Sequence, residues 1–142
     1  MAQTYWAAER SREDVLTSVQ NSVCFGAYDE SDTLVGFARV VTDFVSHWYL
    51  CDVIVDEKHR GQGIGKMLIA AVVADERFAK APALLKTKDA HDLYRKYGFL
   101  DVDPSRVMYR DKQNWIVGLY LAKQTQNIFL DISETACYYA LN

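Results

Sequence analysis

Apolar and polar positions along the chain switch between two periods, and each switch marks an element. Residues 12–20 place Val15, Leu16 and Val19 on one helical face, behind Ser11 as N-cap and with Glu13 and Asp14 in the first turn. Three strand candidates follow at 23–28, 34–42 and 48–55, the first two joined by the polar DESDT turn of a hairpin. The third, WYLCDVIV, is apolar apart from Asp52, as expected of a central strand covered on both faces. Helical spacing returns from Gly63 to about Lys80, with Ile64, Leu68, Ala71, Val72 and Phe78 apolar, and Pro82 ends it. A short strand at 83–87, a helix from an Asp89 cap to Tyr97 stopped by Gly98, and a strand at 107–110 complete the order. Helix, three strands, helix, strand, helix, strand predicts an α/β fold built on a mixed sheet.

The 142 residues suit one domain, and a chain half hydrophobic and a quarter charged can bury a core. A net charge of −3 argues against sheathing nucleic-acid phosphates. No stretch approaches the roughly 20 apolar residues of a membrane span, and MAQTYWAAERS lacks the basic and apolar regions of a secretion signal. The expectation is a cytoplasmic protein with neither membrane nor nucleic acid as partner. Cys24, Cys51 and Cys137 show no ligand spacing and are expected as buried free thiols; His47, His59 and His91 form no metal motif. Residues 113–142 carry only Lys123, Asp131 and Glu134 as charged side chains. That change in composition sets 1–112 apart as the main domain, with 113–142 as an extension packed on it or on a dimer partner.

The sharpest local feature is Arg60-Gly61-Gln62-Gly63-Ile64-Gly65-Lys66, between the central strand and the longest helix. Glycines there let backbone N–H groups approach a ligand, and a helix start adds unsatisfied donors and partial positive charge. Lys58, His59, Arg60 and Lys66 raise the local positive charge within an acidic chain. Together they suit a pyrophosphate. A Walker A loop would need Gly at Arg60 and Ser or Thr at Met67, and the dinucleotide fingerprint would need Gly at Lys66. What remains is Arg-x-x-Gly-x-Gly.

VGFARVVTD at 35–43, YLCDVIVDEKHRGQGIGKMLI at 49–69 and TKDAHDLYRKYGF at 87–99 resemble, in order, the motifs of the GNAT superfamily, the acetyl-CoA-dependent N-acetyltransferases. The likeness runs over about 5–110 and is nearest to a subgroup of small bacterial members. The resemblance implies a GNAT-like acyl-CoA N-acyltransferase fold and acetyl-CoA as cofactor. It implies that the strand at Val53, Ile54 and Val55 splays from its neighbour and pairs with the pantetheine arm. By the same likeness Arg60, Gly61, Gly63 and Gly65 donate main-chain N–H groups to pyrophosphate, with Gln62, Ile64 and Lys66 flanking. An N–H near Val53 or Ile54 would polarise the thioester carbonyl. Tyr94 would be the general acid that protonates the departing thiolate, and Tyr97 a core aromatic. Asp52, a carboxylate in an apolar strand, is the candidate general base, although a buried Asp in a sheet is as often a structural acceptor. Asp43, His47 and a water relay stay open for that role. Thr87 stands where many members carry an asparagine that binds pantetheine. The acceptor, a small-molecule or peptide amine, would meet residues drawn from Tyr5, Trp6, Arg10, Phe37, Phe44 and Trp48.

The ends depart from the family pattern. Its usual first strand is expected to be missing, since only Met1 to Gln3 precede TYWAAERS. At the other end, 115–121 and 128–132 read as further strands, and Ser133 with Glu134 as the start of a closing helix. One reading puts 128–142 in the place of that first strand and helix, within one chain or by exchange between two; another makes the extension a homodimer interface. The alternatives to an acetyltransferase are a non-catalytic acyl-CoA-binding or interaction module of the same fold and a nucleotide phosphotransferase, which the missing Ser or Thr disfavours.

Overall fold

The computed structural model describes residues 10–110, and its first element starts where the polar cap predicts. Helix α1 spans Arg12–Gln20; Ser11 Oγ accepts from the Asp14 amide while the Asp14 carboxylate accepts from the Ser11 amide. Its apolar stripe of Val15, Leu16 and Val19 forms as predicted but stays exposed. Strands β1 (Val23–Tyr28) and β2 (Leu34–Thr42) make the hairpin, whose turn closes on the Asp29 carboxylate through the Ser31 and Thr33 amides.

Strand β3 (Trp48–Val55) runs antiparallel to β2, and β4 (Ala83–Leu85) runs parallel to β3, giving the sheet order β1-β2-β3-β4. Helix α2 (Ile64–Val73) forms the crossover between β3 and β4 and packs on β1, β2 and β3. Leu68 and Val72 of α2 meet Ala27, Ala38, Val40, Trp48 and Leu50 in the core, and Phe78 stacks on the Trp48 indole at 5.4 Å. The indole is buried and donates to the Ala81 carbonyl at 3.0 Å, so the chain after α2 is tied to the start of β3. Gly36 on β2 lets α2 come this close: a Cβ there would lie 2.8 Å from Ile64 Cγ2 and 3.1 Å from Leu68 Cδ1. No helix among the described residues is long and apolar enough to cross a membrane.

Several boundaries differ from the sequence expectation. The helix predicted over 63–80 ends at Val73, because the Asp75 carboxylate captures the Arg77 amide and side chain and starts a separate 3₁₀ turn at Glu76–Phe78. The strand predicted over 83–87 keeps only Ala83–Leu85. Helix α3 covers His91–Arg95 rather than 89–97; its N-cap is Ala90, whose amide donates to Thr87 Oγ1, and not Asp89. Gly98, at φ +85°, follows as expected. Residues 107–110 join no ladder among the described residues: Val107 is extended, yet Val107, Met108 and Tyr109 are exposed. Cys24 is exposed and Cys51 half-buried, so burial does not hold for both thiols; each is free. The chain divides into two compact units, 1–100 and 101–142, and the extension at 113–142, with the strands and helix expected there and Cys137, lies outside the described residues.

The contact at Gly36 yields a stability prediction. Gly36→Ala forces its Cβ against two α2 side chains and lowers the unfolding free energy by about 1–3 kcal/mol, as overpacking does. Urea titration followed by circular dichroism measures the loss.

Candidate active site

The site grows from a mismatch in strand length. β4 pairs only Ala83–Leu85 with Trp48–Leu50, while β3 continues to Val55. From Cys51 onward, one edge of β3 has no strand beside it among the described residues. The other edge still pairs with β2 through Arg39↔Cys51, Phe37↔Ile54 and Gly36↔Val55. Between the first two pairs the register shifts, so Asp52 and Val53 together face Ala38, a β-bulge. Asp52 sits at φ +52°, a left-handed conformation that Asp tolerates better than most residues.

The Asp52 side chain is heavily engaged. Its Oδ2 accepts from Arg39 Nε at 2.7 Å and from Arg10 Nη1 at 3.1 Å. Arg39 is 8% exposed, and its Nη1 also donates to Ser22 Oγ at 2.9 Å; Ser22 in turn donates to the Ser18 carbonyl. Arg39 alternates along β2 with the core residues Ala38 and Val40, so this cluster lies on the sheet face opposite the core.

Beyond Val55 the chain turns sharply. The Asp56 amide donates to the Val35 carbonyl, and the Asp56 carboxylate accepts from the Lys58 amide and the His59 ring, which hold it below the ordinary carboxylate range, the His59 contact most of all. A 3₁₀ turn at Glu57–His59 leads into the glycine loop, and Arg60 Nε reaches back to the Val55 carbonyl at 3.4 Å. Gly61 at φ +79° and Gly63 at φ +84° need glycine for conformation and not for space, since a Cβ on either meets nothing within 4 Å. Gly63 is the N-cap of α2 and supplies no side-chain cap; the first helical bond is Met67 N–H to the Gly63 carbonyl. The amides of Ile64, Gly65 and Lys66 are thus left without helical partners beside the exposed Lys58, Arg60 and Lys66. Gln62 is exposed, while Ile64 turns inward onto the core.

Tyr94 lies on α3, half-buried and edge-on to Phe99 at 5.8 Å; Phe99 meets Trp48 edge-on at the same distance. Burial pushes the Tyr94 phenol above its ordinary pKa, and its hydroxyl has no hydrogen-bond partner among the described residues. Tyr97 is not part of the core cluster: its hydroxyl donates to the Lys66 carbonyl at 3.1 Å and ties the end of α3 to the first turn of α2. The helix carrying Tyr94 is thereby linked to the glycine loop.

The residues proposed from sequence therefore fall into three places. Val53, Ile54 and Val55 form the free stretch of β3, and Arg60 to Lys66 form the loop and helix start. Tyr94 stands on the tethered helix, while Asp52 belongs to the guanidinium cluster. Two of the acceptor-side candidates are displaced. Trp48 is buried in the core, and Phe44, at φ +65° in the β2–β3 turn, stacks over Phe78 at 6.1 Å. Both lie at the end of β3 remote from the glycine loop, as do Asp43, whose carboxylate closes that turn on the Val45 and Ser46 amides, and His47. Tyr5 and Trp6 lie outside the described residues. Tyr97, expected as a core aromatic, instead makes the polar tie to α2, and Arg39 and Gly36 carry structural parts that the sequence reading did not assign. Arg39 carries a readable signal, being the one charge in its apolar strand as Asp52 is in the next.

Comparison with known proteins agrees with this geometry. Residues 20–100 match the family model described as "Acetyltransferase (GNAT) domain". A solved GNAT-family protein from Xanthomonas campestris pv. campestris is 37% identical over 76% of this chain and 77% of its own, with a TM-score of 0.72. A GNAT family acetyltransferase from Elizabethkingia anophelis, solved with acetyl-CoA bound, shares the fold at 24% identity and a TM-score of 0.52, covering 66% of this chain and 63% of its own. The uncharacterized N-acetyltransferase ycf52 of Gracilaria tenuistipitata var. liui is 32% identical over 52% of this chain and 41% of its own length. The chain spans less than half the length of the curated relatives it matches. With a family model over more than half its length and a solved relative sharing most of both chains, the protein belongs to the GNAT acetyltransferase family.

Proposed function

We propose that the protein is an N-acetyltransferase that carries acetyl from acetyl-CoA to a primary amine of a small molecule or peptide, by direct attack in a ternary complex. One observation carries this reading: the edge of β3 that has no partner strand among the described residues runs directly into a glycine loop at an uncapped helix start. That path offers backbone donors first to an amide-containing arm and then to a pyrophosphate. Val53, Ile54 and Val55 would hold the pantetheine, and Arg60, Gly61, Gln62, Gly63, Ile64, Gly65 and Lys66 the phosphates. When bound, acetyl-CoA supplies an activated acetyl carbonyl and a thiol leaving group. Tyr94 keeps its proton at the hydroxyl across neutral pH and is the acid for the departing sulfur. Thr87 Oγ1 accepts from the Ala90 amide in the turn before α3, and we assign it no cofactor contact. With Asp43 and His47 at the far end of β3, a water relay is the proton acceptor for the incoming amine. We place the enzyme in the cytoplasm, where the acyl donor is made.

Calorimetry with CoA tests the cofactor. Gly61→Ala places a side chain where φ is +79°, a strain of roughly 1–2 kcal/mol, and weakens CoA binding by about tenfold. Wild-type protein that fails to bind CoA would sink the reading.

Free-thiol release with an amine panel tests turnover. Tyr94→Phe retains CoA affinity and lowers kcat by about 10²-fold or more, the scale of one general acid. The sign of the pH effect follows from burial: the raised Tyr94 pKa keeps the phenol protonated, so Tyr94 produces no alkaline fall in kcat below about pH 10. A Tyr94-dependent fall near pH 8 contradicts the assignment.

A further inference from the structure

The bulge in β3 is held from outside the strand. A strand interior gives no local reason for a left-handed residue, yet Asp52 adopts φ +52° between the regular pairs at Cys51 and Ile54. Its carboxylate and the Arg39 guanidinium are 11% and 9% exposed and 2.7 Å apart, so the bond is directional and shielded from solvent. Arg39 itself stands opposite Cys51, one residue before the bulge, and its second arm is anchored on Ser22 just beyond α1. Arg10 closes on the same oxygen from the residue before the α1 cap. The bulge is thus connected to both ends of α1.

We propose that Asp52 is a positioning residue: clamped by Arg39 and Arg10, it fixes the β3 bulge and so aims the amide of Val53 or Ile54 at the acyl carbonyl. Successive strand amides point to opposite edges, so one of these two must face away from β2, toward the free edge. The left-handed turn at Asp52 interrupts the alternation directly before them and sets which one does so and at what angle. The proposal rests on the acetyl-CoA reading and replaces proton abstraction as the role of Asp52. Asparagine separates the two roles. It tolerates the left-handed conformation and offers an amide oxygen to Arg39 Nε, but it cannot take a proton from an amine. Alanine does neither.

The test uses the full chain and the infrared carbonyl stretch of bound [1-¹³C]acetyl-CoA, with CoA affinity measured by calorimetry. In wild-type protein the stretch moves to lower wavenumber than in solution. Asp52→Asn retains most of that shift and Asp52→Ala loses it, both read at acetyl-CoA concentrations that saturate each variant by its calorimetric affinity. If the alanine variant does not fold, Arg39→Lys, which keeps a buried cation but loses the two-armed bridge, is expected to lose most of the shift. The proposal is overturned if Asp52→Ala or Arg39→Lys keeps the full shift, or if Asp52→Asn loses as much as alanine. It also falls if the wild-type carbonyl is unshifted on binding, which leaves the acetyl-CoA reading standing. Wild-type protein that does not bind acetyl-CoA overturns that reading instead.

Discussion

A parallel strand pair lasts only as long as both strands supply extended backbone, and β4 supplies three residues. That limit governs the rest of the site. After Leu85 the chain becomes polar through Lys86, Thr87, Lys88 and Asp89, and the Thr87 hydroxyl caps the turn into α3. The segment that leaves β3 without a partner is therefore the one that starts the helix bearing Tyr94. Had β4 matched β3 over its full length, Cys51 to Val55 would be closed on both edges and α3 would begin further on. An exposed edge ordinarily invites unwanted pairing; here it stretches over five residues and ends at a loop poor in side chains.

Packing sets the position of the second half. α2 must lie near the sheet for its first turn to sit beside Val55, and Gly36 permits this by removing a side chain under Ile64 and Leu68. Gly65 sets no such limit, since a Cβ there would reach only ordinary contact with Val55 at 3.6 Å. The aromatic series Phe78, Trp48, Phe99 and Tyr94 then runs from the core to the α3 helix, so the phenol is borne on packed rings rather than on a loose loop. Tyr97 adds a polar tie to the same helix.

Most of this order was legible in the residues. Strand and helix types followed from apolar spacing, and the glycine loop stood out because few sequences begin a helix with three alternating glycines. Lengths were harder to read. Asp75 and Thr87 altered two helices by binding backbone amides locally, an effect that hydrophobic period does not encode. The strand expected at 107–110 has the right residue types, but it joins none of the four strands of the sheet among the described residues, and Val107, Met108 and Tyr109 stay exposed. The role of Asp52 was ambiguous for a related reason. A lone acid in an apolar strand reads alike as a base or as half of an ion pair, and only the register placing Arg39 beside the bulge connects it to its partners.

The glycine loop is restricted by handedness and not by volume. Gly61 and Gly63 face open space, yet their positive φ excludes L side chains from comfortable occupancy. A D-alanine introduced at either position by chemical ligation would adopt the same dihedral angles without the strain that an L residue meets there. In the mirror-image alphabet these two positions are ordinary surface residues. The loop is thus a place where a label or cross-linker of D configuration can be carried while the backbone keeps its shape.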